Sequence, residues 1–174
     1  QAGPTLVSSL TNAADTRPDK TVFVYPDGER VSIAQFFGLA RRVAKGIIAA
    51  GVAPRQGVCI LGANAVEWFA ADWGAVLAGT IPAPSYVTNS TAVVAHMLDL
   101  CDAGISFVDD ETAMLKLISA NAQCLGCRQT LAEERTSSST SSPMRYIVVW
   151  NANASDLAKY PDHASYLLTW NEFL

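Results

Sequence analysis

Residues 57–109 run GVCILGANAVEWFAADWGAVLAGTIPAPSYVTNSTAVVAHMLDLCDAGISFVD, and this stretch decides the fold. Val58 to Leu61 is a short unbroken apolar run, which suits a strand covered on both faces, as in a parallel sheet. Asn64-Ala-Val-Glu67 has the spacing of a capping box with Asn as the cap. Val66, Phe69, Ala70, Trp73, Val76 and Leu77 then predict the buried stripe of a helix that stops near Gly79. Ile81 to Pro84 is extended, and its prolines confine it to a sheet edge or a strand end. Ser90 caps a further helix, predicted to bury Val93, Val94, Met97, Leu98 and Cys101. Ile105 to Val108 is again a strand, and Asp109 or Asp110 caps a helix expected to run to about Asn121. Strand alternating with helix in this way predicts an α/β fold with a layered, largely parallel sheet and flanking helices.

Upstream, Leu6, Val7, Leu10, Ala13 and Ala14 recur at helical spacing, and Pro18 should end that helix. Thr21 to Tyr25, the turn Pro26-Asp-Gly28 and the return Arg30 to Ile33 predict an N-terminal hairpin. Ser32-Ile-Ala-Gln35 is a capping box. It opens a helix whose inner face is predicted to carry Phe36, Phe37, Ala40, Val43, Ala44, Ile47 and Ile48, with Gly51 as the terminator. Downstream, Cys124-Leu-Gly-Cys127 reads as a small loop with two thiols, because a lone CxxC without paired histidines lacks the ligands of a zinc site. Residues 136–142 are nearly all Ser and Thr and predict a solvated, mobile loop. Tyr146 to Trp150 is a strand, and Thr169-Trp-Asn-Glu172 is a third capping box two residues before the end. Such a cap stabilises only a helix that follows it, so the helix is expected to continue beyond Leu174.

Composition narrows the functional classes. The chain has 174 residues, about one domain, with 50% hydrophobic and 16% charged residues. A net charge of −4 with scattered Lys and Arg gives no basic stripe for nucleic acid. The longest uncharged run, Trp73 to Leu98, is broken by Pro82, Pro84 and Asn89, so no transmembrane segment is predicted.

Chemistry is sparse. Gly57 and Gly62 have the spacing of phosphate-loop glycines, but Ala63-Asn64 follows in place of Gly-Lys-Ser/Thr, and no GxGxxG occurs. His96 reads as a half-buried structural histidine, and no GxSxG elbow is present. Asp99 and Asp102, expected to share a helix turn, read as solvated or capping residues. Trp73 belongs to the core stripe and Trp68 faces elsewhere. No residue of the chain is therefore assigned a catalytic, cofactor-binding or metal-binding role.

The order and spacing of these pieces resemble the N-terminal region of the adenylate-forming (AMP-binding) enzymes: acyl-CoA synthetases, amino-acid adenylation domains and luciferases. The matching pieces are Tyr25-Pro-Asp-Gly28-Glu-Arg-Val-Ser32, Gly51-Val52, Val58 to Leu61, Asn64-Ala-Val-Glu67-Trp68, Ala78-Gly79-Thr-Ile-Pro82 and Ile105 to Val108. Tyr86-Val-Thr88-Asn-Ser90, Tyr146-Ile-Val-Val-Trp150 and Leu168-Thr-Trp-Asn-Glu172-Phe-Leu174 are similar to the long-chain fatty-acid branch. Gly62-Ala63 stands where many relatives carry Pro, and residues 136–142 look like an insertion. The resemblance implies that residues 1–174 are the N-terminal part of the large domain, an incomplete first subdomain, with the phosphate loop and C-terminal domain absent. The parent would be a cytoplasmic enzyme, at most peripheral to a membrane. It would use ATP, magnesium and coenzyme A to convert a fatty acid to acyl-CoA, AMP and pyrophosphate. The piece alone is expected to be inactive, to bind none of these cofactors, and to self-associate through surface that the remainder covers. An amino-acid adenylation domain and a stand-alone, non-catalytic α/β interaction module are the competing expectations.

Overall fold

The computed structural model describes the backbone of residues 3–134 and 144–174. The Ser/Thr-rich stretch 136–142 and the Cys127 side chain lie outside the described residues. Helix α1 (Leu6–Thr16) leads to a hairpin of β1 (Thr21–Val24) and β2 (Arg30–Ser32), then to α2 (Ile33–Ala49). Gly28 closes the hairpin turn at φ +92°, a backbone region open mainly to glycine. The Ser32 hydroxyl accepts from the Gln35 amide at 3.3 Å while the Gln35 side chain accepts from the Ser32 amide at 2.8 Å, so the predicted capping box is formed. Gly51, at φ +73°, ends the helical segment as expected.

Five parallel strands follow: β3 (Gly57–Leu61), β4 (Ile81–Ser85), β5 (Ala103–Val108), β6 (Tyr146–Val149) and β7 (Leu167–Thr169). Their spatial order is β4-β3-β5-β6-β7. Helices α3 (Val66–Leu77), α4 (Thr91–Leu100) and α5 (Glu111–Glu134) make the crossovers, and two single-turn helices, α6 (Ala154–Leu157) and α7 (Trp170–Phe173), flank β7. Alternate side chains of the same strands feed two cores. Val58, Ile60, Phe107 and Val148 pack under α2, α3 and α7, whereas Cys59, Leu61, Val108 and Val149 pack under α4 and α5. This two-sided burial explains why every residue of β3 and β5 is buried and why β3 is a continuous apolar run, with Ser106 the polar exception in β5.

β4 lies at the edge, as its prolines require. The Ile81 amide donates to Gln56 O of the neighbouring segment at 3.0 Å. Strand alternation then turns Pro82 and Pro84 outward, where a missing N–H removes no ladder bond.

Several expectations are corrected. Helix α3 begins at Val66 with Ala65 as its cap residue and no side-chain capping bond, so Asn64 is not the cap. Glu67 consequently sits at the second helical position and cannot close a box. The fully buried stripe of α3 is Val66, Ala70, Ala71, Gly74 and Ala75; Phe69, Trp73, Val76 and Leu77 are half-buried. Small residues are needed there because α2 lies close: a Cβ on Gly74 would come 2.5 Å from Val43 Cγ1. Ile48 and Val93, expected inside, are 60% and 45% exposed, and His96 is exposed rather than half-buried. The helix after Asp110 does not stop near Asn121 but runs to Glu134, so Cys124-Leu-Gly-Cys127 is helical, not a loop. Neither β7 nor α6 was expected; Asn153 caps α6.

Candidate functional site

Strand order reverses at β3. The chain leaves β3 through α3 to β4 on one side, then returns through α4 to β5 on the other. The two helices lie on opposite faces, as crossovers of one hand require. In open α/β sheets the crevice at the carboxyl ends of the strands flanking such a reversal is where ligands bind.

That crevice is present here in two parts. A cavity of about 530 Å³ lies between the Gly62-Ala63-Asn64 turn with Trp68 on one side and Pro84, Tyr86 and Val87 on the other. A smaller cavity of about 160 Å³ is lined by Leu61, Val87, Asp109, Asp110, Thr112 and Lys116. Val87 is common to both walls. The larger cavity is aromatic and carries no charged side chain, whereas the smaller one gathers two carboxylates and an ammonium.

Three side chains shape this pole of the sheet. The Asp109 carboxylate, just after β5, accepts from the Ala63 amide, just after β3, at 2.9 Å. Asp110 Oδ1 accepts from the Ala113 amide at 2.9 Å and caps α5, which fixes the choice between the two aspartates. Lys116 donates to the Val87 carbonyl and to the Asn89 carbonyl, the latter at 3.1 Å. Gly62 is obligatory for contact: a Cβ there would come 2.4 Å from the Trp150 ring and 2.9 Å from Asp109 Cβ.

The structure separates the other sequence candidates. Gly57 and Gly62 bracket the extended strand β3 and form no phosphate loop. Asp102 lies beyond α4 at φ +47°, off the helix that carries Asp99, and accepts from Gln56 Nε2 at 3.4 Å. The Cys124 thiol donates to Asp99 Oδ1 at 3.9 Å across the α4–α5 contact. His163 pairs with the Tyr166 hydroxyl at 2.6 Å, while His96 is exposed on α4. Burial, with the neighbouring Cys101 adding to it, pushes the Cys59 thiol up to about 12 and keeps it protonated. Among the described residues no three His, Cys, Asp or Glu side chains cluster for a metal ion. Sequence reasoning missed Lys116 and Val87, because a lysine tying carbonyls of a distant loop has no local spacing to betray it.

A parallel sheet covered on both faces, with a crevice at its strand reversal, defines a doubly wound α/β architecture. The chain belongs to the AMP-binding enzyme family, which matches residues 10–165. It is 35% identical over 94 residues to the long-chain-fatty-acid–CoA ligase ACSBG2 of Xenopus laevis, covering 54% of this chain and 13% of that protein. To ACSBG1 of Rattus norvegicus it is 36% identical over 90 residues, 52% of this chain and 12% of that one. The chain thus spans about an eighth of the length of these curated relatives. Among solved structures, a long-chain-fatty-acid CoA ligase of Rhodopseudomonas palustris superposes with a TM-score of 0.71 at 17% identity, covering 98% of this chain and 36% of that one. Coronafacic acid ligase of Pectobacterium brasiliense gives 0.72 at 16% identity, covering 95% and 28%. At such identities the likeness is one of fold.

Proposed function

We propose that the chain is the opening part of the large domain of an AMP-forming fatty acyl-CoA ligase. In this reading the whole enzyme activates a fatty acid with ATP and magnesium, releases pyrophosphate, and passes the acyl group to coenzyme A. The observation that carries the substrate class is the 35% identity over 94 residues to a long-chain-fatty-acid–CoA ligase. The residues of this chain supply sheet and crevice, not reaction chemistry. The sequence has no glycine-rich phosphate loop, and the Lys116 ammonium is engaged by two carbonyls. Without preorganised donors for the triphosphate, transition-state charge goes unstabilised. The isolated chain is therefore inactive, and it self-associates or binds hydrophobic dye through exposed apolar side chains such as Leu6, Tyr86 and Leu100.

Among the described residues no helix is long and apolar enough to cross a membrane. The test pairs the 174-residue chain with the longest polypeptide that carries it. Each is incubated with palmitate, ATP, magnesium and coenzyme A, and pyrophosphate and acyl-CoA are measured. The longer polypeptide is expected to form both and the short chain neither. Amino-acid-dependent pyrophosphate exchange in place of fatty-acid activation would overturn the substrate class, and acyl-AMP formation by the short chain would overturn its inactivity.

A further inference from the structure

We propose that Lys116 is a positioning residue that holds the wall of the larger cavity. Lys116 lies on the second turn of α5, yet both carbonyls it binds belong to the loop between β4 and α4, 29 and 27 residues earlier. That loop presents Tyr86 and Val87 to the larger cavity, and Val87 also closes the smaller one. Among the described residues few other contacts fix it. Tyr86 is 79% and Val87 41% exposed, so apolar packing contributes little. The bonds from the Asn89 amide to Tyr86 O and from Asn89 Nδ2 to Ser85 Oγ are internal to the strand end and loop. Lys116 ties the loop to the helix across the crevice, through charge-assisted bonds that are stronger than neutral ones. Asp109 and Asp110 line the same small cavity as Lys116.

The functional consequence follows from position. Lys116 does not line the larger cavity, so it acts on a ligand there only through the loop. Releasing the loop would open one wall and weaken binding, while the bond-making steps proceed as before.

Two variants and two readouts test this. Lys116→Met keeps the length of the side chain and removes the donors; Lys116→Arg keeps the charge and two donors. In the 174-residue chain, hydrogen exchange of the Asn89 amide, which donates to Tyr86 O within the loop, should quicken about tenfold or more in K116M and stay near the wild-type rate in K116R. Unchanged exchange in K116M overturns the proposal. The kinetic arm rests on the ligase reading and uses the longer polypeptide. There K116M should raise KM for at least one of fatty acid, ATP and coenzyme A by about fivefold, with kcat within about twofold, and K116R should restore it. A fall in kcat with all three KM values unchanged, or equal damage in both variants, overturns it. A wild-type polypeptide without ligase activity would sink the ligase reading alone, since the exchange arm still decides whether Lys116 holds the loop.

Discussion

The Ala63 amide donates to the Asp109 carboxylate at 2.9 Å, joining the segments that leave β3 and β5 across the strand reversal. At the opposite ends of the same strands, Gln56 Nε2 donates to Asp102 Oδ2 at 3.4 Å. Both bonds close loops of 46 residues. Asp109→Ala leaves the Ala63 amide without its acceptor, a loss that commonly costs about 1–3 kcal/mol. Asp109 Oδ1 is itself buried without a hydrogen-bond partner among the described residues, and truncation also relieves that cost. The expected loss is therefore near the lower end, about 1 kcal/mol. Urea unfolding should show a lower midpoint with an unchanged slope, and an unaltered midpoint would contradict the role given to this bond.

Gly74 and Gly38 make a matched pair. Both are inside helices, where alanine is intrinsically better by up to about 1 kcal/mol. At Gly38 an added Cβ meets nothing within 4 Å, so Gly38→Ala should stabilise by about 0.5–1 kcal/mol. At Gly74 it would lie 2.5 and 2.7 Å from Val43 atoms, and Val43 is fully buried. Gly74→Ala should destabilise by about 1–3 kcal/mol through overpacking. Thermal melts of the two variants should move in opposite directions.

Glu172 accepts from the Thr169 amide and hydroxyl, both at 2.8 Å, and these bonds hold its carboxyl below the ordinary value of 4.5. Its folded value is depressed, so the stabilisation is complete above the unfolded value and fades as pH falls through the folded one. Glu172→Gln should flatten the acid limb of the stability–pH curve, and Thr169→Ala should lower stability most at neutral pH. A wild-type curve with no excess slope below about pH 4.5 would count against the cap.

The Cys59 thiol, raised to about 12 chiefly by burial, should resist Ellman's reagent at pH 8 in the fold and react promptly in urea. The sign is the reverse of that for Glu172. Its contribution is full below the ordinary thiol value of 9.0 and is lost as pH rises toward 12, because the unfolded chain ionises first. Peptide mapping after labelling separates Cys59 from the half-exposed Cys101. Rapid native labelling at Cys59 would show that β3 opens readily.

The sequence made the architecture legible wherever one local rule had no rival. Ser32 with Gln35 and Thr169 with Glu172 formed capping boxes as spaced, and Pro82 with Pro84 placed β4 at an edge. Asn64 failed by one residue, because tertiary packing of Ala70, Gly74 and Ala75 on α2 sets where α3 lies, and its end follows. β7 escaped notice because three residues carry no period. The site was the least legible part. Ala63 meets Asp109 through its backbone amide, and Val87 and Asn89 meet Lys116 through their carbonyls, groups that no spacing advertises.

The outward-facing prolines of β4 have a consequence for how the molecule meets others. A strand laid along that rim would find carbonyls at Pro82 and Pro84 but no amides to answer its own, leaving half its ladder unmade. Backbone templating, the usual route by which a bare sheet margin recruits neighbours into fibrils, is closed on this flank. Any association there must be negotiated by side chains, a weaker and more reversible bargain.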